Sequence, residues 1–219
     1  MASVRLISPL PKATKVLGSS WHSASNTRIA KISAWAVGSF NSSTAFEDGD
    51  ITHTAATFDS SNNKVIIAYR DYTDGQNGYG TAVVGTVSGT SISFGTEVRF
   101  SSVSIGSPSA TFDSSNNKVV IAYRDQGNSN YGTAIVGTVS GTSISFGTAV
   151  VFESASTSHC SAVYDTSNEK VVIAYADGGN SSYGTAIVGT VSGTGITFGS
   201  AVVFEPGNTT QVTAIFDTT

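Results

Sequence analysis

Lys64 to Arg70 reads KVIIAYR, an almost unbroken apolar run bounded by turn-forming residues. That is the pattern of a strand covered on both faces. HTAATFD (His53–Asp59) before it is the first strand candidate, and TAVVGTV (Thr81–Val87) after it is again small and apolar on both sides. The fourth segment, SISFGTEVRF (Ser91–Phe100), differs. Its Ile92 and Phe94 alternate with serines, which predicts a strand with one wet face, and Gly95 is read as a bulge. DSSNNK links the first two segments and SGT the last two, with Gly89 supplying a positive φ. No 3.6-residue periodicity persists. The pattern predicts four antiparallel strands and no helix.

The same unit recurs. ATFD at Ala56 returns as ATFD at Ala110, AVYD at Ala162 and AIFD at Ala214, spacings of 54, 52 and 52 residues. The first fifty residues are a drifted copy: Ala45–Asp59 lies over Val151–Asp165 with Phe on Phe, Glu on Glu, His on His and Asp on Asp. Four strands at a period near 50 match a β-propeller blade. The expected architecture is all-β, a propeller of about four four-stranded blades within a single repeat domain, residues 1–219. The degenerate first blade spans 1–50, and the next three span 51–104, 105–156 and 157–208. Residues 209–219 are either a strand that closes the ring by completing the first blade, hiding two sheet edges, or the start of a fifth copy. A linear β-rod and a larger or multichain ring remain open as alternatives.

The run FDxSxNKVVIAY…YGTAIVGTVSGTSISFGTAVVF resembles tandem propeller-type repeats of large surface and fibre-like proteins of bacteria and phages, marine ones especially. It is also similar to propellers whose blades carry YDxxxNKVYVA hairpins. The likeness covers residues 51–219 well and 1–50 weakly. It implies display and binding at a virion or extracellular surface, and it carries no catalytic residue onto this chain.

Composition narrows the function. Only 12% of the 219 residues are charged and the net charge is −4, so nothing is built to hold nucleic acid. The single cysteine, Cys160, excludes an internal disulfide framework. Arg5, Pro9 and Pro11 interrupt the start of the chain, so no signal peptide is read there. No stretch has the length and apolarity of a membrane span, and no membrane insertion is expected. Asn41, Asn180 and Asn208 match the glycosylation pattern, as chance matches do in a chain rich in Ser, Thr and Asn.

The copies differ in two places. One is the loop between the second and third strands (DYTDGQNG, DQGNSN, DGGNSS); the other is the linker between copies (FEDGDITHT, FSSVSIGSP, FESASTSHC, FEPGNTTQV). Up-and-down strand order puts both on one rim, where binding resides when loops vary over a fixed scaffold; drift in unconstrained connectors is the competing explanation. The candidate ligand-binding residues lie there. Arg70 and Asp71 with Tyr79, Arg124 and Asp125 with Tyr131, and Asp177 with Tyr183 offer hydrogen bonds and ring stacking for a sugar. An Arg–Asp pair at a strand end is also ordinary surface pairing. His53 and His159 occupy equivalent positions, with Ser107 and Gln211 in the other copies, at the mouth of a polar channel. They lack the further ligands that a metal needs. Asp71, Asp74 and Asn77 have the wrong spacing for an EF-hand loop. No metal or other cofactor is expected.

No GxSxG elbow, P-loop or sialidase-type SxDxGxTW box occurs, and near-identical copies do not supply the asymmetric acid pair of a glycosidase. A propeller glycosidase is therefore the distant reading, and the chain is expected not to be an enzyme. The expected role is a structural or recognition repeat whose partner is a surface glycan or another structural protein, with homo-oligomers allowed. A lectin-type propeller is the alternative.

Overall fold

A computed structural model of the chain describes residues 45–217 apart from Gln76, and two short strands, β1 (His22–Ser23) and β2 (Asn26–Thr27). The degenerate first copy otherwise lies outside the described residues. β1 and β2 pair with each other. The remaining strands repeat one order. They are β3 (Ile51–Asp59), β4 (Lys64–Asp71), β5 (Tyr79–Ser88), β6 (Ser91–Phe94) and β7 (Val98–Asp113). Then come β8 (Lys118–Asp125), β9 (Tyr131–Ser140), β10 (Ser143–Phe146) and β11 (Val150–Asp165). The last four are β12 (Lys170–Asp177), β13 (Tyr183–Ser192), β14 (Gly195–Phe198) and β15 (Val202–Asn208). The strands from β3 onward form one antiparallel sheet that does not close on itself: ten lie on a single hydrogen-bonded path, and β6, β10 and β15 branch from β5, β9 and β13.

The handover between copies explains the path. The first half of β7 pairs with β5, ending at Ser104 opposite Tyr79; the second half begins with Ile105 opposite Asp125 and pairs with β8. β11 repeats this, with Ser156 opposite Tyr131 and Thr157 opposite Asp177. One strand thus ends one sheet and opens the next. Gly95 lies in the three-residue interruption between β6 and β7, and its N–H donates to the Val84 carbonyl at 2.9 Å.

The unbroken apolar run of β8 follows from its position between two neighbours. Val119, Ile121 and Tyr123 face a core shared with Ile66, Ala68, Ala82, Val84 and Phe100 of the preceding sheet. Val120 and Ala122 face the opposite way, into a second core with Val171, Ile173 and Tyr175. Each core is wedged by a phenylalanine: Phe100 packs on Tyr123 and Phe146, with ring centroids 5.4 and 5.5 Å away, and Phe152 packs on Tyr175 and Phe198 at 5.2 and 5.7 Å. Phe46 makes the same contacts with Tyr69 and Phe94.

The hairpins that repeat unchanged are structural. The Asp113 carboxylate accepts from the Ser115 and Asn116 N–H groups, both at 3.0 Å, and from Asn116 Nδ2 at 2.9 Å; Asp59 and Asp165 do the same in their copies. The SGT turn packs across the interface. A β-carbon on Gly95 would come within 1.8 Å of the Thr142 carbonyl oxygen, and one on Gly147 within 2.0 Å of that of Thr194. Only glycine allows that approach.

Ring closure by the C-terminal strand is corrected. Residues 209–217 form no strand, because no second strand lies beside them to pair with among the described residues. Thr209 N–H donates to the Ser182 carbonyl and Ala214 N–H to Ser161 Oγ, as Ala162 N–H does to Ser109 Oγ one copy earlier. They follow the course of a next first strand, and no second strand pairs with them among the described residues.

Candidate functional site

The variable linkers and the variable loops interlock along one rim. Tyr72 N–H donates to the Asp50 carbonyl, Ile105 to Gly78, Gln126 to Ser104, and Thr157 to Asn130, all at 2.9–3.0 Å. The loops are tightly wound: Ser129–Asn130 and Ser181–Ser182 are consecutive residues with positive φ.

Asp71 and Tyr79, Asp125 and Tyr131, and Asp177 and Tyr183 are cross-strand partners at the mouths of these loops. The aspartates cap the loops: Asp71 accepts from Thr73 N–H at 2.8 Å, Asp125 from Gly127 N–H at 2.9 Å, and Asp177 from Gly179 N–H at 2.9 Å. Arg70 does not share the Asp71 site, since neighbours along a strand point to opposite faces. Its guanidinium lies over the Tyr72 ring at 4.9 Å and donates to Ser104 Oγ at 2.6 Å and Gln126 Oε1 at 3.1 Å, tying one sheet's rim to the next. The Arg124 guanidinium lies against Gly106. Tyr79 is covered by Arg99 at 4.6 Å.

His53 and His159 are exposed, and with Ser107 they hold left-handed conformations where the first strand of each sheet slips register. Burial, then Arg70 and Arg124, keep the His53 imidazole below its ordinary pKa. The side chain of Asp74, which with Asp71 and Asn77 has the wrong spacing for an EF-hand loop, lies outside the described residues.

A different set of acids gathers at the first sheet. Glu47 from the entering linker, Asp71 at the end of β4 and Glu97 just before β7 bring one carboxylate oxygen each within 4.8 Å of one another. Asp71 is fully buried and the two glutamates half-buried. Burial, followed by the hydrogen bond and charge of Glu47, pushes Glu97 up to about 7. Glu47 is held below its usual value, first by the proton from Glu97 and then by the Gly49 and Asp48 N–H groups. The Tyr69 side chain beneath them is wholly buried, with its hydroxyl against the Glu97 carboxyl. Burial, then Glu97, Asp71 and Glu47, raise its phenol. Sequence reasoning missed Glu47 and Glu97. The signal was there: EVRF at Glu97 stands where the later copies have AVVF, with Ala149 and Ala201.

At the opposite end of the sheets, a groove of about 240 Å³ is lined by hydroxyl-bearing residues including Thr148, Thr190, Thr194 and Thr197. No helix among the described residues is long and apolar enough to cross a membrane. Compared with family models, curated proteins and solved structures, the chain matches none.

Proposed function

We propose that the chain is a non-catalytic structural and recognition scaffold of propeller-type blades that associate edge to edge through their own blade interface, with the variable rim presented outward. The observation that carries this reading is Phe204. It repeats Phe100 and Phe152, which are 9% and 8% exposed, yet it is 55% exposed itself. Val202 and Val188 are exposed too, and a β-carbon on Gly199 would meet nothing closer than 3.8 Å, where Gly95 and Gly147 receive a turn. The next copy covers Phe100 and Phe152 at the two inner interfaces, and the same contact made between chains is heterologous, which generates rings or filaments. The occupant is a second copy of this chain.

Solution mass by light scattering over a concentration series tests it. The mass should rise with concentration and fall to that of one chain in Phe204→Ala and Val202→Ser. A single-chain mass throughout would overturn the assembly. Recognition at the rim is supported by the interlocked variable loops, and the lectin reading by the three Asp–Tyr pairs. Binding on a glycan panel that Tyr131→Ala and Tyr183→Ala weaken would favour the lectin. An empty panel with assembly intact would leave the purely structural role.

A further inference from the structure

We propose that the Arg124 guanidinium binds one oxyanion, of the carboxylate or sulfate class, on the variable rim where the sheet of β8 meets that of β12. Two equivalent arginines differ in their partners. Arg70 is engaged: its guanidinium lies over the Tyr72 ring at 4.9 Å and donates to Ser104 Oγ at 2.6 Å and to Gln126 Oε1 at 3.1 Å. Arg124 holds the same place one copy later, where the counterparts of Ser104 and Gln126 are Ser156 and Gly178. The amide oxygen is gone, and the Arg124 guanidinium makes no hydrogen bond or ion pair among the described residues.

This unpaired charge is held against the sheet. Arg124 is half-buried with its Nε covered. A β-carbon on Gly106 would lie 2.9 Å from Nη2 and 3.0 Å from Nε, so the guanidinium rests where the strand has no side chain. The acids of the adjoining strands hold other donors. Asp177 caps Gly179 N–H at 2.9 Å, Asp125 caps Gly127 N–H at 2.9 Å, and Glu153 accepts from the Tyr175 hydroxyl at 3.0 Å. A half-buried cation without an acceptor is costly, and a ligand oxygen removes that cost. The planar fork of N–H groups on arginine matches a carboxylate or a sulfate in two parallel bonds.

The local field has the matching sign. Arg70 and Arg124 both act on His53, and no acid is among the groups that shift it. The rim is positive here although the chain carries −4 overall. That overall charge disfavours a polyanion and leaves a single charged group, as an acidic sugar or a free ion carries. The site deepens the recognition role proposed for the rim, and it rests on that reading for the source of the anion.

The test uses the full chain at a concentration where it is a single copy. It is titrated calorimetrically with sodium sulfate, sodium glucuronate and glucose, at constant ionic strength in chloride. Sulfate or glucuronate should bind with a dissociation constant of about 10⁻³ M, the strength that a few charge-assisted hydrogen bonds supply, and glucose should not bind. Glucuronate tighter than sulfate assigns the anion to an acidic sugar and the reverse order to a free ion; either order sustains the site. Arg124→Ala installs what the last full copy carries at Ala176, so it should keep the fold and weaken binding at least about tenfold. Arg99→Ala, which uncovers the Tyr79 ring, should leave binding unchanged. By NMR the His53 imidazole should titrate at higher pH with sulfate bound, and that response should vanish in Arg124→Ala. No saturable binding of either anion would overturn the site, as would equal affinities in Arg124→Ala and the unaltered chain. Neither result depends on self-association, so a failure of assembly and a failure of this site are separate outcomes.

Discussion

Two substitutions of the same kind, Gly147→Ala and Gly199→Ala, separate the interface from everything else about glycine. Both remove the same freedom from the unfolded chain, worth about 0.4–1 kcal/mol in favour of the variant. They differ in what the new methyl meets. At Gly147 it would lie 2.0 Å from the Thr194 carbonyl oxygen; at Gly199 the nearest atom is the Val188 oxygen at 3.8 Å. A methyl carbon needs more than an ångström of additional clearance at the first site. What stands in the way is hairpin backbone, not a flexible side-chain tip, so either that hairpin or the strand interruption must move. Overpacking of this kind costs about 1–3 kcal/mol, and a backbone obstacle belongs at the upper end. The entropic gain is common to both and cancels, so the expected difference between the variants is the overpacking cost, about 3 kcal/mol. For a chain of this size that is about 6–12 °C in Tm. Thermal and urea unfolding at low protein concentration, where association does not contribute, should show Gly147→Ala well below the unaltered chain and Gly199→Ala level with it or slightly above. Equal shifts would refute the claim that the SGT turn of one copy seats on the glycine of the previous one. At high concentration Gly199→Ala should also impair assembly, because its methyl occupies the place of the incoming turn.

Phe152→Ala should cost about 3–5 kcal/mol in urea unfolding, by removing the wedge between Tyr175 and Phe198. Glu169 holds φ +57° where its counterparts are Asn63 and Asn117, so Glu169→Asn should stabilise by about 0.5–1 kcal/mol on the same measure. Glu97 titrates higher in the folded chain than its ordinary 4.5, so the folded state binds more protons between those values and its stability falls as pH rises toward 7. Because the group is partly solvated the loss should stay near 1 kcal/mol or below. Tm at acid and at mildly alkaline pH should show that slope, flattened in Glu97→Ala. The Cys160 thiol, pushed up to about 12 by burial, should react with a thiol reagent only on the timescale of unfolding.

The acidic cluster and the open faces have a common origin in the repeat. Each copy is one sheet that cannot cover its own apolar faces, so it presents Phe and Val on one side and the Tyr–Ile–Val set on the other. Where a neighbour is present the two interdigitate; at the ends of the described array they stand bare.

What the sequence determined by itself is the unit: four antiparallel strands, their turns and their burial. Alternation or continuity of apolar residues reports how many faces of a strand are covered, and Gly89, Gly141 and Gly193 all adopt the positive φ that the SGT turn demands. It could not report how the units join. That the fourth strand breaks at Gly95, that its continuation becomes the next sheet's first strand, and that residues 209–217 join no strand pair among the described residues all depend on contacts between segments about fifty residues apart. The site residues divide in the same way. Asp71 and Tyr79 were legible because they end adjacent strands of one hairpin. Glu47 and Glu97 were not, because fifty residues separate them along the chain and only the packing of a linker against a sheet places their carboxylates side by side.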